Sequence, residues 1–241
     1  SAYRRFHYDG DRDEYEKPYF TRRRALDVCA LLTLIYPDQQ EYLVHLMDLI
    51  YAVCDEYTWC LPAHQTELGV NNNRHIDLFA SETGMCLSEI YTLLGDRLEP
   101  LIADRIRVEV DRRIIQSFLD TRFFWEKVGS NWAAVCTGSV SCTFMLMRPD
   151  LCDGLEERFC SAMKYFLSGF GPDGDAWGLS RGVFCLSSEN SGKNGDVTAD
   201  YLTNYRAAFQ HSRDLVNSSV SNRFYKLTGW NIENAVTSGN I

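Results

Sequence analysis

Two apolar helical runs separated by a Pro-Asp break set the first constraint on this chain. From about Thr21 to Tyr36, the residues Ala25, Leu26, Val28, Cys29, Leu32, Leu34 and Ile35 recur at helical spacing, and Pro37 with Asp38 ends the run. Proline stops a helix because it has no amide donor and its ring crowds the preceding turn. A second run, about Gln40 to Tyr57, places Tyr42, Leu43, Leu46, Leu49, Ile50 and Val53 on one face. So short a link makes the two an antiparallel hairpin. The same grammar continues with helices expected from Asp77 to about Leu94, Leu98 to Leu119, Asn131 to Met147 and Leu155 to Leu167, punctuated by Gly95-Asp96 and Arg148-Pro149. No alternating strand pattern interrupts them up to Asp175, so the expected fold is all-α, a double layer of helical hairpins.

The flanks read differently. Residues 1 to 20 are rich in Tyr, Arg and Asp, lack apolar helical periodicity, and are expected to form an extended N-terminal arm. Residues 21 to 175 make the helical domain. Residues 176 to 241 gather Ser, Asn and Gly from Ser187 to Gly195, and are expected to be helical only in part, about Val197 to Val216.

Composition excludes some functions. A net charge of -9 argues against broad nucleic-acid binding, which draws its affinity from clustered cations. No apolar run reaches the roughly 18 residues a membrane span needs, and the first residues are charged where a secretory signal would be apolar. The nine cysteines have no C-x-x-C pair, and Cys29, Cys54, Cys86 and Cys136 sit at apolar helical positions, as free thiols in a core do. These features lead us to expect an unexported, cytoplasmic protein with neither metal nor cofactor.

Chemistry concentrates in two stretches. In Lys127 to Ser139, Ser130 or Asn131 is placed to cap a helix, and its first amides with the Asn131 carboxamide can donate to an anionic oxygen beside Trp132. The loop Tyr57 to His64, broken by Pro62, offers Trp59 to stack on the apolar face of a pyranose and His64 to donate to an acid or hydroxyl. The mixed charges of the fourth long helix, Arg105, Arg107, Glu109, Asp111, Arg112 and Arg113, read as a solvated face.

Several segments together resemble the heparinase II/III-like polysaccharide lyases over about residues 12 to 175. They are Tyr15-Glu16-Lys17-Pro18-Tyr19-Phe20, Glu56 to His64, Ile76 to Gly84, Asn131-Trp132 and Phe170-Gly171-Pro172-Asp173-Gly174. The family's wording Asn-Asn-Trp-Asn differs here at Ser130 and Ala133. The resemblance implies an incomplete (α/α) toroid of antiparallel hairpins whose loops form a cleft for an acidic polysaccharide or oligosaccharide. It also implies β-elimination at a uronic acid. Asn131 would neutralise the carboxylate; Trp59, His64, Glu82 and Trp132 would line the sugar. The family's tyrosine follows the Gly-Pro-Asp-Gly turn; here Ala176 to Phe184 contains none, which leaves Tyr201 or Tyr205 as a displaced base.

Two other functions stay open at this point. One is a glycan-binding or structural helical domain without catalysis. The other is hydrolysis by a carboxylate pair, Glu67 with Glu82 or Asp77, which needs carboxyl groups about 5 to 9.5 Å apart. Substrate and oligomeric state are not encoded in any of these patterns.

Overall fold

The computed structural model describes residues 2–65 and 72–168. Every regular element among them is helical, so the all-α expectation holds. The chain divides into two compact units, one running to Thr121 and one from Arg122 onward.

In the first unit, α1 (Ala2–Asp9) and α2 (Asp13–Ile35) replace the extended arm expected over residues 1 to 20. The reason is electrostatic. Asp13, Glu14 and Glu16 fall in the first turn of α2, where the helix dipole favours acids, and the Asp11 carboxylate accepts from the Glu14 amide at 3.1 Å. Arg12 with Glu16 and Lys17 with Asp13 add pairs one turn apart. Such a helix needs no apolar stripe at its start, and it carries Pro18 within it at the loss of one ladder bond. Gly10, at φ +77°, ends α1 in the left-handed region that favours glycine, its amide donating back to the Phe6 carbonyl at 3.1 Å.

Helix α3 (Gln40–Asp55) packs on α2 and buries Leu43, Leu46, Ile50, Val53 and Cys54. Helix α4 (Leu78–Leu94) begins at Asp77, whose carboxylate accepts from the Ala80 amide at 2.7 Å. The fourth long run is helical but not uniform: α5 (Pro100–Val110) passes through a π-helical stretch (Asp111–Ile115) into α6 (Gln116–Asp120). At that stretch Ile114 seats against Gly84 of α4, where a β-carbon would come within 2.5 Å of Ile114 Cγ1. Only glycine permits this approach.

The charged face of this run is not fully solvated, contrary to the expectation. Arg113 and Glu109 are both buried. Arg113 donates to Glu109 at 2.6 Å and to the carbonyls of Glu56 at 2.6 Å and Cys54 at 3.1 Å, and its guanidinium lies 4.7 Å from the Trp59 ring centroid. It ties the end of α3 and the loop beyond it to the π-helical stretch. Burial lowers the Arg113 pKa and the bond to Glu109 opposes that; Glu109 in turn is held below its ordinary value, the bonds from Arg113 and Arg112 outweighing burial.

In the second unit, a 3-10 turn (Phe124–Lys127) leads to α7 (Asn131–Met147), and a further 3-10 turn (Pro149–Leu151) to α8 (Cys152–Ser168). The sixth helix thus starts at Cys152, three residues before the expected Leu155. Phe144 and Phe159 join α7 to α8 edge to face at 5.9 Å. Glu126, itself buried, accepts two bonds from half-buried Arg158, at 2.8 and 2.7 Å, and one from the Phe123 amide at 2.6 Å. The eight described cysteines are free thiols, and no described helix is long and apolar enough to cross a membrane.

Candidate functional site

The loop after α3 folds inward rather than outward. Trp59 is 1% exposed; its indole nitrogen donates to the Val53 carbonyl at 2.9 Å, and its own carbonyl accepts from the Tyr19 hydroxyl at 2.7 Å. The ring therefore anchors the loop, and the expectation of a sugar-stacking platform at Trp59 is corrected: a face already packed under Arg113 is not open to a pyranose.

That anchoring presents the short 3-10 turn Pro62–His64 to Asp77. Asp77 is fully buried, and its carboxylate does three jobs. One oxygen accepts from Ala80 and closes the first turn of α4; the other accepts from the Leu61 amide at 3.1 Å and lies 2.6 Å from His64 Nδ1. Both backbone bonds come from amides that would otherwise be buried without a partner, so the carboxylate cannot move without loss. The imidazole is also fixed from the side, stacked on Phe79 with centroids 5.6 Å apart and rings 8° from parallel. About a sixth of the His64 side chain reaches solvent, at 16%.

The surroundings are aromatic and polar. Tyr19 and Phe20 meet Phe79 at 6.4 and 4.9 Å, Tyr15 lies 5.9 Å from Tyr19, and Tyr3 lies 5.1 Å from Tyr15. Tyr3 donates to Gln65 Oε1 at 2.5 Å. Burial raises the pKa of Tyr3, Tyr15 and Tyr19, so these phenols stay protonated donors across the physiological range. His75, half-buried nearby, has its pKa lowered by burial, with Asp77 opposing and His64 adding to the fall.

A histidine whose Nδ1 donates to a fixed carboxylate carries its lone pair on Nε2, and that is the arrangement of a positioned proton acceptor. Thirteen residues separate the two partners. Asp77 stood in the sequence as a helix start and His64 as a loop donor; nothing in spacing alone joins them.

The other expected site residues lie elsewhere. Glu82 is half-buried on α4. Asn131 and Trp132 open α7 in the second unit, both half-buried, with Trp132 tilted against Phe124 at 5.1 Å. Ser130 occupies the cap position without a side-chain bond, which corrects the expected capping role, and the Asn131 carboxamide has no hydrogen bond among the described residues. Tyr201, Tyr205 and Glu67 lie outside the described residues. The carboxylate-pair reading loses Asp77, because an acid at 0% exposure with both oxygens engaged has no access to a glycosidic oxygen. Among the described residues, no cluster of three or more acidic, histidine or cysteine side chains is disposed to hold a metal ion. No family model matches the chain, and no curated protein matches it significantly.

Proposed function

We propose that this chain acts on acidic polysaccharides as a lyase of the heparinase II/III-like type, its hairpins forming part of an incomplete (α/α) toroid, and that His64 transfers the proton. The observation that carries the reading is the 2.6 Å pair between His64 Nδ1 and the buried, fully engaged carboxylate of Asp77.

In β-elimination at a uronic acid, a base takes the proton from C5, the electron pair forms the C4=C5 double bond, and the C4 to oxygen bond breaks. The leaving oxygen then receives a proton. With Nδ1 committed to Asp77, His64 Nε2 is the accepting atom, and the carboxylate stabilises the imidazolium that results. A positioned base of this kind contributes about 100- to 10,000-fold. Negative charge building on the substrate carboxylate needs a fixed donor. The test is release of a near-ultraviolet-absorbing unsaturated uronide from a panel of uronic acid polymers, with His64→Ala as the variant.

A further inference from the structure

Helix α1 packs directly over the turn that carries His64, and does so with unusual economy of attachment. None of its residues is buried. Among the described residues, its side-chain links to the rest of the unit include the Tyr3 hydroxyl on Gln65 Oε1, the edge of Tyr3 on Tyr15, and Arg5, which pairs with Asp11 at 3.2 Å and with Glu14. Arg5 and Glu14 are exposed, at 46% and 48%, and Asp11 is half-buried at 31%. Between helix and body stands Gly10, at φ +77° with nothing within 4 Å of where a side chain would begin.

A helix with no buried residue, one glycine joint in open space and a few polar fastenings opens at far lower free energy than a core helix. Tyr3 and Gln65 make the fastening specific, because Gln65 immediately follows His64. Arg5 makes it sensitive to ionic strength, since pairs this exposed are screened by salt. We propose that α1 is a cover for the His64–Asp77 site, closed by Tyr3 on Gln65 and latched by Arg5 across the Gly10 joint. Opening about Gly10 admits an extended glycan to the imidazole; closing withdraws it. The inference rests on His64 being the working group of the site and not on the reaction it performs.

The test is the rate at which diethyl pyrocarbonate modifies His64, followed by peptide mass spectrometry on the full chain. Exposed His45 serves as the internal reference and buried Cys54, probed in parallel with a thiol reagent, as the control for general loosening. Tyr3→Phe, which removes one hydrogen bond, raises the His64 rate relative to His45 by roughly two- to tenfold. Arg5→Ala and added salt also raise it, and Cys54 stays unreactive throughout. Equal relative rates in wild type and both variants overturn the cover, as does acceleration accompanied by reaction at Cys54. Because the readout needs no turnover, a silent lyase assay with accelerated labelling removes the proposed reaction and leaves the cover standing.

Discussion

Asp77 Oδ2 sits 2.6 Å from His64 Nδ1 while Asp77 Oδ1 caps α4 at Ala80, so one carboxylate both starts a helix and aims an imidazole. Position and chemistry are thereby linked: the residue that fixes the backbone is the residue that fixes the tautomer. Asp77→Ala leaves two buried amides, Leu61 and Ala80, without acceptors, and is expected to cost about 2 to 4 kcal/mol in urea unfolding. Asp77→Asn retains an acceptor for one of them, costs less, and is expected to lower lyase activity far more than stability. Equal losses in both measurements would assign Asp77 to the fold alone.

Arg113 is the main tie between the π-helical stretch and the loop. Arg113→Ala leaves buried Glu109 with Arg112 as its remaining cation and frees the carbonyls of Cys54 and Glu56, an expected loss of about 3 to 5 kcal/mol. The double variant Arg113→Met, Glu109→Gln removes both charges and is expected to be less destabilised than the single one. A double variant worse than the single would mean that the bonds to the carbonyls, rather than the under-compensated buried carboxylate, dominate.

Gly84 offers a steric test of the same region. Gly84→Ala drives a methyl into Ile114 and is expected to destabilise the protein by about 1 to 3 kcal/mol. Ile114→Ala removes the crowding Cγ1 and Cδ1, so the double variant is expected to lose less than the sum of the two single losses. Thermal unfolding of the single and double variants measures the coupling, and simple additivity would show that the two residues do not meet.

Glu89 gives a pH dependence of defined sign. Burial, with Asp27 adding to it, raises its pKa to about 7. The folded protein therefore holds a proton that the unfolded chain has released, and stability contributed by the neutral acid is present below the ordinary carboxylate range and lost as pH rises through about 7. Glu89→Gln is expected to flatten this fall between about pH 4.5 and 7 and to exceed wild type in stability at pH 8. A variant that tracks wild type across that range contradicts the shift.

Much of the framework is legible in the sequence. Asn131 to Met147 and Asp77 to Leu94 were readable because apolar periodicity, a polar first residue and a breaker coincide there, and α7 and α4 keep those bounds to within a residue. Where stability comes from charge pairs, the pattern is silent: α1 and the start of α2 show no apolar stripe, so the sequence there reads as an arm. Burial of Arg113 was hidden for a related reason, since its acceptors are carbonyls more than fifty residues away. His64 was visible as a candidate and Asp77 as a helix start, but their pairing depends on how Trp59 folds the loop. Trp59 departs from its expected role because an indole in a loop has the same sequence signature whether it faces sugar or core; Trp59→Ala is accordingly expected to cost about 3 to 5 kcal/mol in stability rather than merely weaken glycan binding.

The most direct measurement is unsaturated-product absorbance from a panel of uronic acid polymers, comparing wild type with His64→Ala at matched helical content by circular dichroism. Product is expected from at least one polymer with wild type, with a fall of about 100-fold or more in the variant. No product from any polymer, or undiminished turnover by His64→Ala, would contradict it.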